Sequence, residues 1–307
     1  MRVAGIERFG GAVQTLEVAE PRAPREGEVL LEIKAAGVGN WDDVVRVGDW
    51  DVGRTPPMAL GVEAAGIIAA IGPGVVGWSV GDEVLTHPLP LAEQGTWAPW
   101  LIARAELLAR KPAAMSWGVA GAFAVPALTA VQVVDEALRV RPGETLLVNG
   151  AGGATGGLIV SLAVLRGARV FATAGPSSRQ EVIGAGADAA IDYHDADWPE
   201  QILVASGRQG VDAAANAARG GATSAMRAVR DGGRLATITS DPPEPERGVR
   251  ISSVYVRPNA GQLDRAVQAL GGAGLELRLG AQFPLAQADA ALERAIRGAG
   301  GAVALEL

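Results

Sequence analysis

Short runs of alternating apolar and polar residues, separated by Gly and Pro, fill the first third of the chain. Clear examples are residues 28–34, 65–71 and 82–85, with glycine-containing turns at 72–74 and 80–82. A period of two is typical of half-buried strands, and Gly and Pro punctuate tight turns. The pattern predicts an antiparallel β domain over residues 1–117.

Beyond residue 117 apolar strands alternate with helical patterns. Strands are predicted at 145–148, 189–193, 211–215, 234–238 and 251–256, and helices at 128–138, 178–184, 199–206 and 223–230, the last capped by Gly232 and Gly233. Such alternation builds a doubly wound parallel sheet, whose ligand lies at the carboxyl ends of the strands. The loops expected there are 149–156, 173–179, Tyr193, 216–218 and Thr239 with Ser240.

The C-terminal part carries a helix at 262–270, a strand around 275–279, a helix at 286–295 and a strand at 302–305. These elements are expected to fold back on the first domain. The prediction is therefore two domains, 1–117 with 258–307, and 118–257. A length of 307 residues agrees, because a domain usually holds roughly 100–200 residues.

Composition narrows the class of protein. The net charge is −7 with no block of Lys or Arg, so nucleic-acid binding is not expected. No uninterrupted apolar run reaches the length of a membrane span, and Glu7 disrupts any N-terminal signal peptide, so the expected location is cytoplasmic. The chain has no Cys and two His, which excludes disulfides and Cys-based zinc sites.

A glycine-rich turn follows the strand at 145–148. Its sequence is NGAGGATGG, with Gly150, Gly153 and Gly156 spaced by three and a helical pattern behind them. Glycines let the backbone amides approach a pyrophosphate, and the N-terminal end of a helix attracts an anion. The turn, with Ala154 and Thr155 at the start of the helix, predicts a dinucleotide cofactor.

The strand end after this helix favours NADPH over NADH. An NAD site places an acid roughly 20 residues past the glycines, and residues 172–179 contain none. They offer Gly175, Ser177, Ser178 and Arg179 instead, and a guanidinium can bind a 2′-phosphate through two hydrogen bonds. The alternative is that the serines cap the next helix and Arg179 is a solvated surface charge.

Several short strings, in a fixed order, resemble the medium-chain dehydrogenase/reductase superfamily and its zinc-independent quinone oxidoreductase branch. The resemblance covers essentially the whole chain. It rests on the strings AAGV at 35–38, GVEAAG at 61–66, GDEV at 81–84, GTWA at 95–98, ALTA at 127–130, the glycine turn, GAD at 186–188 and GGRL at 232–235. It implies a GroES-like antiparallel domain, a Rossmann domain, NADPH as cofactor and a homodimer.

The resemblance also implies roles for single residues. Arg179 and Tyr193 would help to hold the adenosine 2′-phosphate, and Thr129 would lie near the nicotinamide. The alternative is that Tyr193 is an ordinary aromatic residue at a strand end. Asn216 and Ala217 stand where relatives carry Asp followed by Ser or Thr.

The residues expected near the hydride acceptor differ from those of the alcohol dehydrogenases of the superfamily. Gly39 and Val62 stand where those enzymes carry a zinc-binding Cys and His, and residues 42–48 lack the Tyr that some enone reductases use. Without a Lewis acid, a quinone or conjugated enone is the expected hydride acceptor, because its π system spreads the incoming charge. Asn40 and Thr129 are the candidate hydrogen-bond donors to its oxygen.

Indole rings are the candidates for the acceptor pocket. Trp41 and Trp97 would border it, although Trp97 could equally fill the core. His87 is expected to be a solvated loop residue, and Asp42 is expected to bond the backbone or Arg46. Two other functions remain open: an enoyl reductase of a biosynthetic pathway, and a non-catalytic NADPH-binding or sensing protein.

Overall fold

Residues 1–272 and 277–307 are described by a computed structural model of the chain. The described residues fall into two compact units. Unit 1 contains Met1–Val125, Arg257–Gly271 and the C-terminal segment that ends at Leu307, and unit 2 contains Pro126–Val256. The fold is mixed α/β, as the sequence predicts, with a parallel sheet in unit 2 and mainly antiparallel strands in unit 1, where only the pair formed by the two C-terminal strands of the described residues is parallel.

Unit 1 is built mainly from strands. They are β1 (Arg2–Ile6), β2 (Gln14–Glu17), β3 (Glu28–Val38), β4 (Met58–Ala59), β5 (Ala64–Ile71), β6 (Glu83–Thr86), β7 (Trp100–Arg104) and β8 (Leu108–Arg110), with β15 (Leu279–Pro284) and β16 (Ala302–Glu306) from the C-terminal part. Its helices are α1 (Asn40–Val47), α2 (Trp117–Gly121), α8 (Ala260–Gly272) and α9 (Ala288–Arg297).

The main sheet of unit 1 runs in the order β15-β16-β3-β5-β6-β8, with β7 paired to β3. A second sheet has the order β2-β1-β4. The chain's last strand therefore pairs with β3, and Val303 lies opposite Val38. This pairing ties the C-terminal segment to the N-terminal strands.

Unit 2 alternates strands with helices. Its strands are β9 (Thr145–Asn149), β10 (Arg169–Thr173), β11 (Ala189–Ile191), β12 (Val211–Asn216), β13 (Val229–Thr237) and β14 (Arg250–Ser253). Its helices are α4 (Ala154–Leu165), α5 (Arg179–Gly184), α6 (Trp198–Ala205) and α7 (Ala222–Arg227), and α3 (Ala124–Val131), continued by a π-helical stretch Gln132–Ala137, leads into it.

The sheet of unit 2 is parallel and has the order β11-β10-β9-β12-β13-β14. This is the doubly wound arrangement that the sequence predicts, with the chain leaving β9 in one direction and returning at β12 on its other side. Leu147, Phe171, Ile202 and Leu235 form part of its buried core. The carboxyl ends of β9, β10, β12 and β13 consequently meet at one edge.

Two sequence predictions of local structure need correction. The helix predicted at 223–230 ends at Arg227, and Gly232 and Gly233 lie inside β13 instead of capping it. Pairing with β12 decides this, since Val211 lies opposite Val229 and Ala213 opposite Arg234 across a bulge. The strand predicted around 275–279 falls partly outside the described residues, and β15 begins at Leu279.

Helices α4, α5, α6, α8 and α9 agree with the predicted pattern in type and shift in their ends, whereas α1 and α2 were not predicted. The helix predicted at 128–138 begins four residues earlier, at Ala124, because Pro126 is tolerated in a first turn. Among the helices of the described residues, none combines the length and the apolar character that a bilayer crossing requires.

Candidate functional site

The glycine turn of unit 2 is tight at two of its glycines. Gly150 has φ +87°, and a Cβ there would lie 3.0 Å from the carbonyl carbon of Ala217. A Cβ on Gly156 would lie 2.2 Å from the carbonyl oxygen of Gly150. Backbone atoms occupy both places, so neither position accepts a larger residue without moving the turn.

Gly153, in contrast, faces open space. It is the N-cap residue of α4, is exposed, makes no side-chain cap, and a Cβ there would meet only the Gly150 carbonyl oxygen at 3.6 Å. The amides of Ala154, Thr155 and Gly156 have no acceptor within the helix, because the first turn of any helix leaves them unpaired. A pyrophosphate fits this end of a twelve-residue helix, whose dipole favours an anion.

The end of β10 carries the residues predicted to select the cofactor. Ser177 and Arg179 are exposed at the start of α5. Ser178 is the N-cap residue but makes no side-chain cap, and its hydroxyl donates instead to the Gly175 carbonyl at 3.3 Å. The capping role considered for the serines is therefore absent from this helix start, and the exposed groups of Ser177 and Arg179 are available to a ligand.

Tyr193 lies beside Gly175, where a Cβ would be 3.3 Å from its ring. The ring is 52% exposed and contacts His194, with ring centroids 4.1 Å apart. His194 Nδ1 is 2.6 Å from Asp192 Oδ1. Sequence reasoning missed this pair. The backbone amide and the ring of His194 lower the pKa of the Asp192 carboxyl, with a smaller contribution from the charge of Arg179.

Polar side chains end the four central strands of the sheet and bond to one another. Gly150 N donates to Thr173 Oγ1 at 2.9 Å, and Thr173 Oγ1 donates to Asn149 Oδ1 at 2.6 Å. Asn149 Nδ2 donates to Asn216 Oδ1 at 2.8 Å, and Asn216 Nδ2 to Thr237 Oγ1 at 3.1 Å. This strand-end network links the glycine turn to β13.

The network continues into the loop after β13. Thr237 and Thr239 both donate to Asp241 Oδ1, and Asn216 Nδ2 also reaches Thr239 Oγ1 at 2.9 Å. Thr239 is thus part of the network, while the neighbouring Ser240 is exposed with φ +57°. Ala217 N bonds the Asn149 carbonyl at 2.8 Å and packs behind Gly150. The sequence signal was present, since each strand ends on Asn or Thr after an apolar run.

The acceptor-side candidates divide between the units. Asn40 is the exposed first residue of α1 in unit 1, and Thr129 is buried in α3 in unit 2. Trp97 is fully buried in unit 1 and donates from Nε1 to the Gly37 carbonyl at 2.9 Å. That contact favours the interpretation of Trp97 as a core residue.

Trp41 lies over Gly39. A Cβ on Gly39 would come within 2.2–2.4 Å of the Trp41 ring carbons, so the ring occupies the place of a side chain at residue 39. The Trp41 Nε1 atom is buried and has no hydrogen-bond partner among the described residues. A Cys at position 39 and this position of the indole ring exclude each other.

Two carboxyl groups of unit 1, Asp42 and Glu63, are buried. Asp42 Oδ2 accepts from Gly39 N at 2.8 Å, which confirms the expected backbone contact, while Arg46 binds Asp43 instead. Burial raises the pKa of Asp42 to about 8. Glu63, which sequence reasoning missed, is also buried and accepts from Val125 N at 2.7 Å; its pKa is raised well above the usual value by burial.

The expectation that His87 is a solvated loop residue is wrong. The side chain is buried, and Nδ1 lies 2.6 Å from the Val62 carbonyl oxygen. Burial lowers its pKa to about 4, so the ring is neutral at pH 7. Pro88 and Pro90 after it restrict the backbone but do not determine whether the His87 side chain is buried.

The structure shows no group of three or more His, Cys, Asp or Glu side chains suited to a metal ion within residues 1–272 and 277–307. After burial, the charge of Asp42 contributes to the raised pKa of Glu63. Backbone N–H groups of Gly39 and Val125 donate hydrogen bonds to these carboxyls.

Two family models match the chain. Residues 25–134 match the alcohol dehydrogenase GroES-like domain, and residues 154–259 match the zinc-binding dehydrogenase domain. A solved structure described as an NAD-dependent alcohol dehydrogenase superposes with a TM-score of 0.91 at 27% identity, covering 100% of both chains.

Two curated relatives extend the comparison. The chain is 30% identical over 237 residues to a mycocerosic acid synthase-like polyketide synthase of Mycobacterium tuberculosis, covering 75% of this chain and 11% of that protein. It is 29% identical over 216 residues to a quinone oxidoreductase of Rattus norvegicus, covering 69% of this chain and 64% of that protein. The chain thus spans about a tenth of the synthase and under two thirds of the oxidoreductase.

With both domain models in sequence order and the shared fold, the chain belongs to the medium-chain dehydrogenase/reductase superfamily, and its resemblance to the quinone oxidoreductases is confirmed.

Proposed function

We propose that this oxidoreductase transfers a hydride from NADPH to a quinone or an α,β-unsaturated carbonyl without zinc. The observation that carries the proposal is at Gly39, where the indole of Trp41 fills the place that a metal-binding side chain takes in alcohol dehydrogenases of the superfamily. Val62 supplies no ligand atom from its side chain. The similarity to the rat quinone oxidoreductase supports the same acceptor class.

In this proposal residues 118–257 form the Rossmann domain that binds NADPH. The amides of Ala154 and Thr155, presented by Gly150, Gly153 and Gly156, would bind the pyrophosphate. Ser177 and Arg179 would bind the 2′-phosphate beside Gly175, with Tyr193 against the ribose. Ala217, Thr239 and Ser240 would border the nicotinamide side of the site.

Residues 1–117, with 258–307, form the GroES-like domain that binds the acceptor. NADPH supplies a hydride, which leaves negative charge on the acceptor oxygen. Asn40 and Thr129 would donate hydrogen bonds to that oxygen, and water would supply the proton. Trp41 would pack against the flat acceptor, and Trp97 would support the pocket from the core.

Turnover with both cofactors tests the proposal. Purified protein should oxidise NADPH, followed at 340 nm, with 1,4-naphthoquinones or with enones, and should use NADH less well. An absence of NADPH oxidation across a panel of quinones and enones would contradict it. Elemental analysis of the active protein should find far less than one zinc per chain.

The choice of cofactor is tested separately at Arg179. The charge of Arg179 interacts with the carboxylate of Asp192, and that carboxylate would repel the 2′-phosphate of NADPH. Arg179→Gln should raise KM for NADPH about 10- to 100-fold, the loss of one or two charged hydrogen bonds, and leave KM for NADH nearly unchanged. Arg208→Gln, at an exposed turn of the same unit, is the matched control and should change neither value.

A second candidate is an enoyl reductase acting on thioesters. The similarity to a polyketide synthase, of which the chain spans 11%, is the observation that favours it. Turnover of crotonyl thioesters at a higher kcat/KM than quinones would establish it. Tight NADPH binding with no turnover of either acceptor class would indicate the non-catalytic alternative. A homodimer and a cytoplasmic location stay predictions.

A further inference from the structure

Buried polar atoms without a hydrogen-bond partner concentrate in one place in unit 1. Within the described residues these side-chain atoms are Trp41 Nε1, Asp42 Oδ1, His87 Nε2 and, in unit 2, Arg234 Nε. The first three belong to side chains that contact Gly39 or Val62. Trp41 packs on Gly39, Asp42 accepts from Gly39 N, and His87 bonds the Val62 carbonyl.

Gly39 and Val62 are themselves neighbours. In the antiparallel pair of β3 and β5, Ala36 lies opposite Ala64. Gly37 N donates to the Glu63 carbonyl at 3.2 Å, which continues the pairing beyond the end of β5. Val38 therefore falls opposite Val62, and Gly39 is the next residue. The side chains that carry the three unpartnered atoms therefore contact backbone positions that lie close together in unit 1.

The hydrogen-bonding roles of two of these atoms are fixed. A carbonyl oxygen only accepts, so His87 Nδ1 must carry the proton that bonds Val62 at 2.6 Å. The neutral ring then has its lone pair on Nε2, which can only accept. The low pKa of His87 agrees with a neutral ring. Trp41 Nε1 can only donate.

A buried polar atom without a partner is unfavourable, and the great majority of such atoms in proteins have one. One ligand that offers both an acceptor and a donor could satisfy Trp41 Nε1 and His87 Nε2 together. A conjugated carbonyl supplies the acceptor. A hydroxyl or amide N–H on the same molecule supplies the donor.

We propose that Trp41 Nε1 donates a hydrogen bond to the carbonyl oxygen of the hydride acceptor, and that His87 Nε2 accepts one from a hydroxyl or N–H of that molecule. This inference rests on the proposed function and names its substrate class: conjugated carbonyl compounds, quinones included, that carry a hydroxyl or amide group. Trp41 is then a catalytic residue, and His87 determines specificity.

The redox balance of the step needs no further reactant. The acceptor gains a hydride, that is one proton and two electrons, and NADPH becomes NADP⁺. The carbonyl oxygen becomes an oxyanion, to which the indole N–H donates while keeping its own proton. A proton from water then gives the hydroquinone or, from an enone, the saturated ketone. The hydrogen bond is strongest when the charge develops, so its loss lowers kcat.

Two quinones that differ by one hydroxyl test the inference by binding, with the whole protein and no turnover required. They are 2-methyl-1,4-naphthoquinone and 2-hydroxymethyl-1,4-naphthoquinone, titrated calorimetrically. The wild-type protein should bind the hydroxymethyl compound about 5- to 10-fold more tightly, the effect of one net hydrogen bond. His87→Asn places an amide where Nδ1 was, keeps the contact with Val62 and removes Nε2, so the preference should disappear.

Trp41→Phe keeps a ring over Gly39 and removes only the N–H. It should weaken the binding of both quinones by about 5- to 10-fold, and where turnover is present it should lower kcat by about 10- to 100-fold. His87→Gln, which can place an oxygen near the Nε2 position, should restore part of the hydroxymethyl preference. It also replaces His87→Asn if that variant does not fold.

Specific results would overturn the inference. Equal affinity of wild-type protein for the two quinones, or an unchanged preference in His87→Asn, excludes the role of His87. Unchanged affinities in Trp41→Phe, with only a lower free energy of unfolding, would show that a buried water satisfies these atoms. The expected binding pattern without NADPH oxidation would support the inference and contradict the proposed function, so the two failures are distinguishable.

Discussion

The two units treat their buried polar groups in opposite ways. In the strand-end network of unit 2, Thr173, Asn149, Asn216 and Thr237 satisfy one another and end on Asp241. Around Gly39 and Val62 in unit 1, three side-chain atoms are buried without a partner: Trp41 Nε1, Asp42 Oδ1 and His87 Nε2. The strand-end network is therefore a hydrogen-bonded structure that holds the glycine turn through Thr173. We propose that a ligand completes the hydrogen bonding of the second region.

The charges differ in the same way. The strand-end network consists of neutral side chains up to Asp241 at its end, and hydrogen bonds order it without a desolvated charge in its interior. The second region contains two carboxyls with raised pKa values and an imidazole with a lowered one, all through burial. The dependence of stability on pH should therefore originate mainly in unit 1.

The largest expected effect comes from two glycine substitutions that distinguish the stability of the glycine turn from its binding of NADPH. Gly156→Ala places a Cβ 2.2 Å from the Gly150 carbonyl, so the turn must move, and we expect a loss of about 3 kcal/mol or more of unfolding free energy. Gly153→Ala meets only one atom at 3.6 Å and should cost at most about 1 kcal/mol.

Gly153→Ala, which should have the smaller effect on stability, should nevertheless have a clear effect on NADPH binding. Gly153→Ala should weaken NADPH binding at least about 10-fold, because the new methyl group stands where the backbone must approach the pyrophosphate. Urea denaturation and a fluorescence titration with NADPH measure the two quantities. A Gly153→Ala protein with wild-type affinity would show that the open side of the turn is not the phosphate site.

The next effect tests whether the strand-end network orders the turn. Thr173→Val keeps the shape of the side chain and leaves Gly150 N and Asn149 Oδ1 without their partner. We expect a loss of about 2 kcal/mol in unfolding free energy and weaker NADPH binding. Thr173→Ser keeps the hydroxyl and serves as the control. Equal stability of the Val and Ser variants would count against a structural role for these bonds.

The smallest expected effect concerns pH. The folded pKa of Asp42, about 8, lies above its unfolded value, so the folded state binds the proton more tightly. Stability from this group is then present at low pH and is lost as pH rises from about 4 to about 8. Asp42→Asn should remove this loss and raise the unfolding free energy at pH 8, relative to wild type, by at least about 1 kcal/mol.

Asp43→Asn is the matched control, because the neighbouring Asp43 is partly exposed and pairs with Arg46. Denaturant unfolding at pH 5 and pH 8 gives the comparison. The slope should persist in Asp43→Asn and diminish in Asp42→Asn. An unchanged slope in Asp42→Asn would place the pH dependence of unit 1 elsewhere, with Glu63 as the next residue to replace.

Local pattern was sufficient for much of the fold and failed at defined places. The periods of two and 3.6 residues, with Gly and Pro between them, predicted β3, β5, β9 and the alternation of unit 2. They misplaced residues 229–233, which are polar and glycine-rich yet form a strand because β12 lies beside them. Helix α1, which carries Trp41 and Asp42, was not predicted at all.

The sequence alone determined the superfamily, the doubly wound sheet and the glycine turn, because these depend on spacing and on residues close together in the chain. Only the tertiary structure decided that His87 is buried against Val62, that Trp41 fills the place beside Gly39, and that four strand ends share one network. The burial of His87 and the strand-end network depend on contacts between residues about 20 to 70 positions apart. Trp41 and Gly39 are close in the chain, but the orientation of the indole ring is set by packing, and burial, unlike periodicity, is a property of the packed chain.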